Sequence, residues 1–204
     1  MSMINLQTSV EGFVKIHDPV TGEVFVDKKN AIHYENMSYA LASSISSGPL
    51  LASNGSQSFI HSFALGNGGT NVQPTGVIVY KTPNYTGTAA DLYSQTYSKI
   101  VNDNYAANTD AQRNKITINH LSGKAYTDIL ISCYLDYGEP SGQTAFDNTT
   151  DFNDTFVFDE LGIKSETGKL LTHVIFHPVQ KSLNRVIQID YTVRIQTLTN
   201  LSSQ

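Results

Sequence analysis

The sequence predicts a mainly β protein, an antiparallel β-sandwich or jelly-roll-like domain with one α-helix near residues 30–45 and long loops. Three stretches carry that prediction. Val186–Leu198 alternates apolar and polar residues over its length, with Ile187, Ile189, Tyr191, Val193 and Ile195 on one face. Ala125–Tyr137 alternates in the same way, with Ile129, Ile131, Cys133, Leu135 and Tyr137 together. Val10–His17 alternates ahead of Asp18-Pro19-Val20-Thr21-Gly22, a turn in which Pro fixes φ and Gly admits positive φ. A period of two places successive side chains on opposite faces of a strand.

Taken in chain order, Val10–His17 and Glu23–Val26 read as a hairpin. Asn30–Ile45 reads as the helix, with Asn30 at its N-cap and Tyr34, Met37, Leu41 and Ile45 on one face. Ser43–Ser58 then dissolves into Ser, Gly and Asn, a loop composition. Ser58–Leu65 is a short strand stopped by Gly66-Asn67-Gly68-Gly69-Thr70, and Gly76–Tyr80 is another. Thr82–Ala111 is long, polar and dotted with tyrosines, and its Ala89–Ile100 part fits a strand or a short helix. Lys115–His120 is a short strand, and Thr155–Phe158 leads into Asp159-Glu160-Leu161-Gly162. Leu170–His177 is a strand that Pro178 stops. The final strand spans about 40 Å at the usual rise. That length places it centrally in its sheet or shares it with a neighbouring subunit.

The composition sets the class. A chain of 204 residues with 40% hydrophobic residues builds a sizeable core and reads as one domain, residues 1–204. Only 15% of residues are charged, and the net charge is -5. Lys28-Lys29 and the Lys181–Arg194 region are the only basic concentrations, too sparse for the many phosphate contacts that nucleic acid demands. No apolar run reaches the roughly 18 residues of a membrane span. The first residues lack the charged stretch and apolar core of a signal peptide, so synthesis in a cytoplasm is expected, and the Asn-x-Thr triplets at Asn84 and Asn148 carry no glycan expectation. Cys133 is the single cysteine and reads as a core thiol.

No motif assembles an active site, and no cofactor, metal or catalytic residue is assigned. The Gly66–Thr70 glycines lack the following helix and the Lys of phosphate loops, and read as a turn. His173 and His177, on a strand, share a face about 13 Å apart, too far for one ion. Asp147, Asp151, Asn153 and Asp154 form an oxygen-rich loop without the Gly and distal Glu of a calcium hand. Interface candidates are Tyr85, Tyr93, Tyr97 and Tyr105, because tyrosine offers a large contact area with a polar tip, and Leu198 and Leu201 at the end of the last strand. The Thr82–Ala111 segment is expected to be ordered mainly by partners.

Three segments carry a family resemblance. They are Gly12–Asp18 with Gly22–His33, Phe63-Ala64-Leu65-Gly66-Asn67-Gly68-Gly69-Thr70, and Phe156–Ile163 followed by Leu171–Pro178. In this order they resemble virion structural proteins of tailed bacteriophages, large myophages of the T4-like cyanophage kind included. The resemblance implies a non-enzymatic virion component whose partners are copies of itself and other phage proteins of capsid, neck or tail. A neck or tail assembly role is expected first. Head decoration, and a carbohydrate- or host-receptor-binding module of a tail appendage, are the alternatives.

Overall fold

The computed structural model describes residues 5–45, 59–87, 89–142 and 156–200. In order, the elements are β1 (Asn5–His17), β2 (Val24–Ile32), α1 (Tyr34–Ile45), β3 (Ile60–Gly66), β4 (Thr70–Val72), β5 (Ile78–Tyr80), β6 (Gln95–Ile100), β7 (Lys115–His120), β8 (Tyr126–Leu135), β9 (Phe156–Ser165), β10 (Leu170–Lys181) and β11 (Ile187–Asn200). Nine strands form one curled antiparallel sheet in the order β6-β3-β9-β10-β2-β1-β11-β8-β7, and β4 pairs with β5 as a separate hairpin.

The sheet turns its corner at β2. Residues Val24 to Asn30 pair with β1, whereas only Ala31 and Ile32 pair with β10. The two halves thereby face each other as in a β-sandwich. Alternation decides what lies between them. Val14, Ile16, Ile131, Cys133, Ile187, Ile189, Tyr191 and Val193 from one layer meet Phe63, Leu65, Leu161, Ile163, Val174 and Phe176 from the other. The Phe63 and Tyr191 rings pack across this interior with centroids 5.9 Å apart. Burying each large apolar side chain contributes about 1.5–3 kcal/mol. Burial also pushes the Cys133 thiol up to about 12, the behaviour of a core residue.

Of the two positions its length allowed, the long C-terminal strand takes the interior one: β11 lies between β1 and β8. Its pairing with β8 stops at Gln196 opposite Tyr126, but its pairing with β1 continues to Asn200 opposite Asn5. In turn, β1 meets β2 only from Gly12 onward. The ends of β1 and β11 therefore run on as a two-stranded ribbon beyond their other neighbours. At Gly12 the backbone is crowded: a Cβ there would overlap the Asn30 side chain and stand 2.9 Å from the Tyr191 hydroxyl.

Several boundaries differ from the sequence reading. Asn30 sits in β2, and the helix starts at Tyr34, so Asn30 is no N-cap. His33 takes that place: its Nδ1 accepts the Asn36 amide at 3.3 Å. Tyr34 faces solvent instead of joining Met37 and Leu41 against the core. Pro178 does not stop β10, which reaches Lys181, because the ladder to β9 is irregular between Ile175 and Val179 and asks no donor of the proline there. β9 extends through Asp159-Glu160 to Ser165. Tyr137 lies past the end of β8, exposed. Thr70–Val72 forms a strand that the sequence reading missed.

Candidate functional site

The most elaborate polar arrangement centres on Glu160 in β9. Its carboxylate accepts the backbone amides of Gly68 (3.1 Å), Ser94 (2.7 Å) and Tyr93 (2.9 Å), and the His173 Nε2 proton (3.1 Å). Neighbouring Asp159 accepts the amides of Gly69 (2.8 Å) and Thr70 (2.9 Å) and the Thr70 hydroxyl. Glu160 and His173 have fully buried side chains. Burial alone would push the Glu160 carboxyl up; the hydrogen bonds from His173, Ser94, Tyr93 and Gly68 outweigh it and hold Glu160 below the ordinary glutamate value.

The His173 tautomer follows from its neighbours. Nδ1 accepts the Asn84 amide at 2.8 Å, so the ring proton resides on Nε2 and is donated to Glu160. His33, fully buried as well, accepts at Nδ1 and donates its Nε2 proton to the Gly87 carbonyl at 2.9 Å. Lys81 bonds the Gly68 carbonyl at 2.6 Å and stands 4.4 Å from the Tyr93 ring centroid. Chemically, this network is an organiser. Its carboxylates and imidazoles take up backbone donors and acceptors of the Gly66–Thr70 turn and of residues 81–94, which would otherwise be buried without partners.

A second polar group lies at the opposite end of β10. Lys181 is fully buried, its Nζ bonded to the Ser182 carbonyl at 3.0 Å. Burial drives its amine down to about 8, with Glu139 and Asp136 partly offsetting the shift. Lys99 pairs with Glu139 at 2.5 Å, and Tyr97 beside them is pushed up to about 12 by burial first and by Glu139 and Cys133 next.

The binding-type feature is an apolar cleft of about 490 Å³ at the end of the sandwich where the β1–β11 ribbon emerges. Leu41 of α1, Phe59, Ile116 and Ile118 of β7, Ile129 of β8 and Ile195 of β11 are among its walls, and Asn102, Asp103 and Asn104 line its polar side. Its volume and lining match sites that enclose an apolar side chain or ligand at a barrel mouth. β7 borders it and, among the described residues, pairs on one side only. Ile118 on that strand is 71% exposed.

The structure distributes the sequence-predicted residues rather than gathering them. Tyr85 and Tyr93 lie on the 81–94 connection, exposed, with the Tyr93 hydroxyl donating to the Thr82 carbonyl. Tyr97 is in β6 and packs against the main core. Tyr105 is exposed and meets the His61 ring edge-on at 4.6 Å. Leu198 stands opposite Gln7 in the ribbon, while Leu201 and the Asp147–Asp154 loop lie outside the described residues. His173 and His177 are on one strand as expected; the first is buried and the second exposed, its Nδ1 3.2 Å from the Tyr80 hydroxyl. Much of the expectation for Thr82–Ala111 is corrected: its own chain anchors it, through Glu160, His173, His33 and the β3–β6 ladder, and Ala89–Ile100 contains a strand, not a helix. Glu160 and Asp159 escaped the sequence reading, although two acids between Phe158 and Leu161 in an apolar run were a legible signal of a buried, hydrogen-bonded pair.

Among the described residues, no group of three or more His, Cys, Asp or Glu is arranged to hold a metal ion, and no helix is long and apolar enough to cross a membrane. The chain matches no protein-family model, no curated protein and no solved structure.

Proposed function

We propose that this chain is a non-enzymatic structural component of a tailed-phage virion, acting in assembly of the neck or tail. The observation that carries the reading is the apolar cleft bordered by strand β7, paired on one side only among the described residues, with its exposed Ile118. An unpaired strand edge is a template for another strand, and a cleft beside it receives alternate side chains of that strand. A neighbouring virion subunit supplies both. The family resemblance of Gly12–His33, Phe63–Thr70 and Phe156–Pro178 supports the same reading. So does the way the conspicuous acid–base pair, Glu160 with His173, spends its bonding capacity on backbone amides within the fold.

The test is a reconstruction of the phage particle with the chain traced in it. A neighbour's strand against β7 in a neck or tail ring is the expected result. Purified particles without the chain would sink the proposal, and the chain spread over the capsid surface would move it to the head.

A further inference from the structure

We propose that Thr82–Thr86 is a proton-operated latch: a neutral His173 holds it against the sheet, and a second proton on His173 releases it. The stretch belongs to a connection between β5 and β6 that contains no helix or strand among its described residues. Thr82, Tyr85 and Thr86 are exposed, and Pro83 and Asn84 are half-buried. Its two ends are fixed independently. On one side Lys81 donates its amide to the Gly69 carbonyl at 2.9 Å and its Nζ to Gly68. On the other, Gly87 adopts left-handed backbone with φ at 85°, and its carbonyl is held by His33. Among the described residues, one bond joins the backbone between these hinges directly to the sheet, from the Asn84 amide to His173 Nδ1. Two further bonds, Asn84 Nδ2 to the Asp91 carbonyl and the Tyr93 hydroxyl to the Thr82 carbonyl, stay within the same connection.

The proton logic follows from donor and acceptor identity. His173 Nε2 already carries a proton, committed to Glu160. A second proton has only Nδ1 to occupy. That atom then becomes a donor facing the Asn84 N–H, another donor, at 2.8 Å. Two donors cannot share that space without an acceptor between them, so the amide leaves. On the other side of the ring, the Glu160 carboxylate stands 3.1 Å from Nε2. Tyr93 presents its ring at 5.9 Å, with Lys81 on that ring. Asp159 is occupied by Gly69 and Thr70. Lys28 is tied to the Ile175 carbonyl, and Ala31, opposite His173 in the ladder, carries no charge. Glu160 is thus the one charged group in direct contact with the ring among these.

Release has a structural consequence. Pro83 walls a cavity of about 220 Å³ that also touches Lys28, Asn30, Val174 and Ile175, where β2 and β10 part company. Swinging residues 82–86 about Lys81 and Gly87 moves Pro83 off that cavity and opens it.

The experiment uses the full-length chain, labelled with nitrogen-15. Long-range proton–nitrogen spectra give the His173 tautomer, and hydrogen exchange gives the protection of individual amides, corrected for intrinsic exchange, from about pH 7.5 to about pH 5. The Nε2–H tautomer is expected at the upper pH. Asn84 should lose protection by about tenfold or more at the lower pH, while the Ser94 and Val193 amides keep theirs. His173→Gln should abolish that pH dependence. An Nδ1–H tautomer, a pH-independent Asn84, or an equal loss at Val193 would each overturn the latch. These three readouts come from the wild-type chain, so the outcome stands even if the variant does not fold.

Discussion

Arg194 and Asp128 face each other across β11 and β8 in a two-pronged ion pair, Nε to Oδ1 at 2.7 Å and Nη2 to Oδ2 at 2.8 Å, with the guanidinium 4.1 Å from the Tyr126 ring centroid. The hydrogen bonds from Arg194 outweigh burial and hold the Asp128 carboxyl below its usual range. An aspartate lowered in the folded state stabilises above the unfolded value of about 3.9 and loses that contribution as pH falls through the folded value. Asp128→Asn should therefore lower the urea midpoint at neutral pH and differ little from wild type in strong acid. Equal offsets at both pH values would contradict this account.

Glu160 predicts the behaviour of the 81–94 connection. Replacing it with Ala leaves the Gly68, Tyr93 and Ser94 amides and His173 without their acceptor, a loss of about 3 kcal/mol or more. Limited trypsin digestion should then cut at Lys81 and Lys99 in the variant well before wild type. Resistance of both proteins over the same time course would mean that apolar contacts, Leu92 foremost, hold the connection instead.

Lys181 makes the opposite kind of prediction. Its amine is lowered to about 8 by burial, whereas the unfolded chain keeps its proton to an ordinary lysine value of about 10.4. Between these values the unfolded state binds the extra proton, so this group's contribution to stability rises with pH. Lys181→Met should raise the melting temperature at neutral pH by a few degrees and flatten the rise on the alkaline side. Thermal melts of both proteins from about pH 7 to about pH 10 measure it.

Ile118 separates folding from assembly. It is largely exposed, so Ile118→Lys should change the melting temperature little, because surface substitutions stay within about 0.5 kcal/mol. A charge beside the cleft and on the strand edge should nevertheless block incorporation into particles. Complementation of a phage lacking the chain, followed by protein gels of purified particles, reads this directly. Normal incorporation would remove β7 from the proposed interface.

Alternation made most of the strands legible. Val186–Leu198 announced its face, with a central position as one of two alternatives, and the Asp18–Gly22 turn announced the β1–β2 hairpin. What stayed hidden depended on distant partners. Asn30 has the chemistry of an N-cap, yet Gly12 opposite it draws it into the ladder, and His33 caps instead. Asp159 and Glu160 look like a polar break in a strand until Gly68, Gly69, Thr70, Tyr93 and Ser94 arrive from sixty-odd to ninety-odd residues away to use their oxygens. The apolar cleft has walls from α1, β7, β8 and β11, which no local pattern assembles.

The place of β11 between β1 and β8 also sets a timetable. During synthesis the sheet has a missing slat until residues 187–200 leave the ribosome, because its first strand and its eighth both wait for the same late neighbour. Pairing Asn5 with Asn200 closes nearly the whole chain into one loop, the slow kind of contact. The β1–β11–β8 part of the sheet should therefore assemble last, with β1 and β8 the edges that a chaperone must shield in the interval.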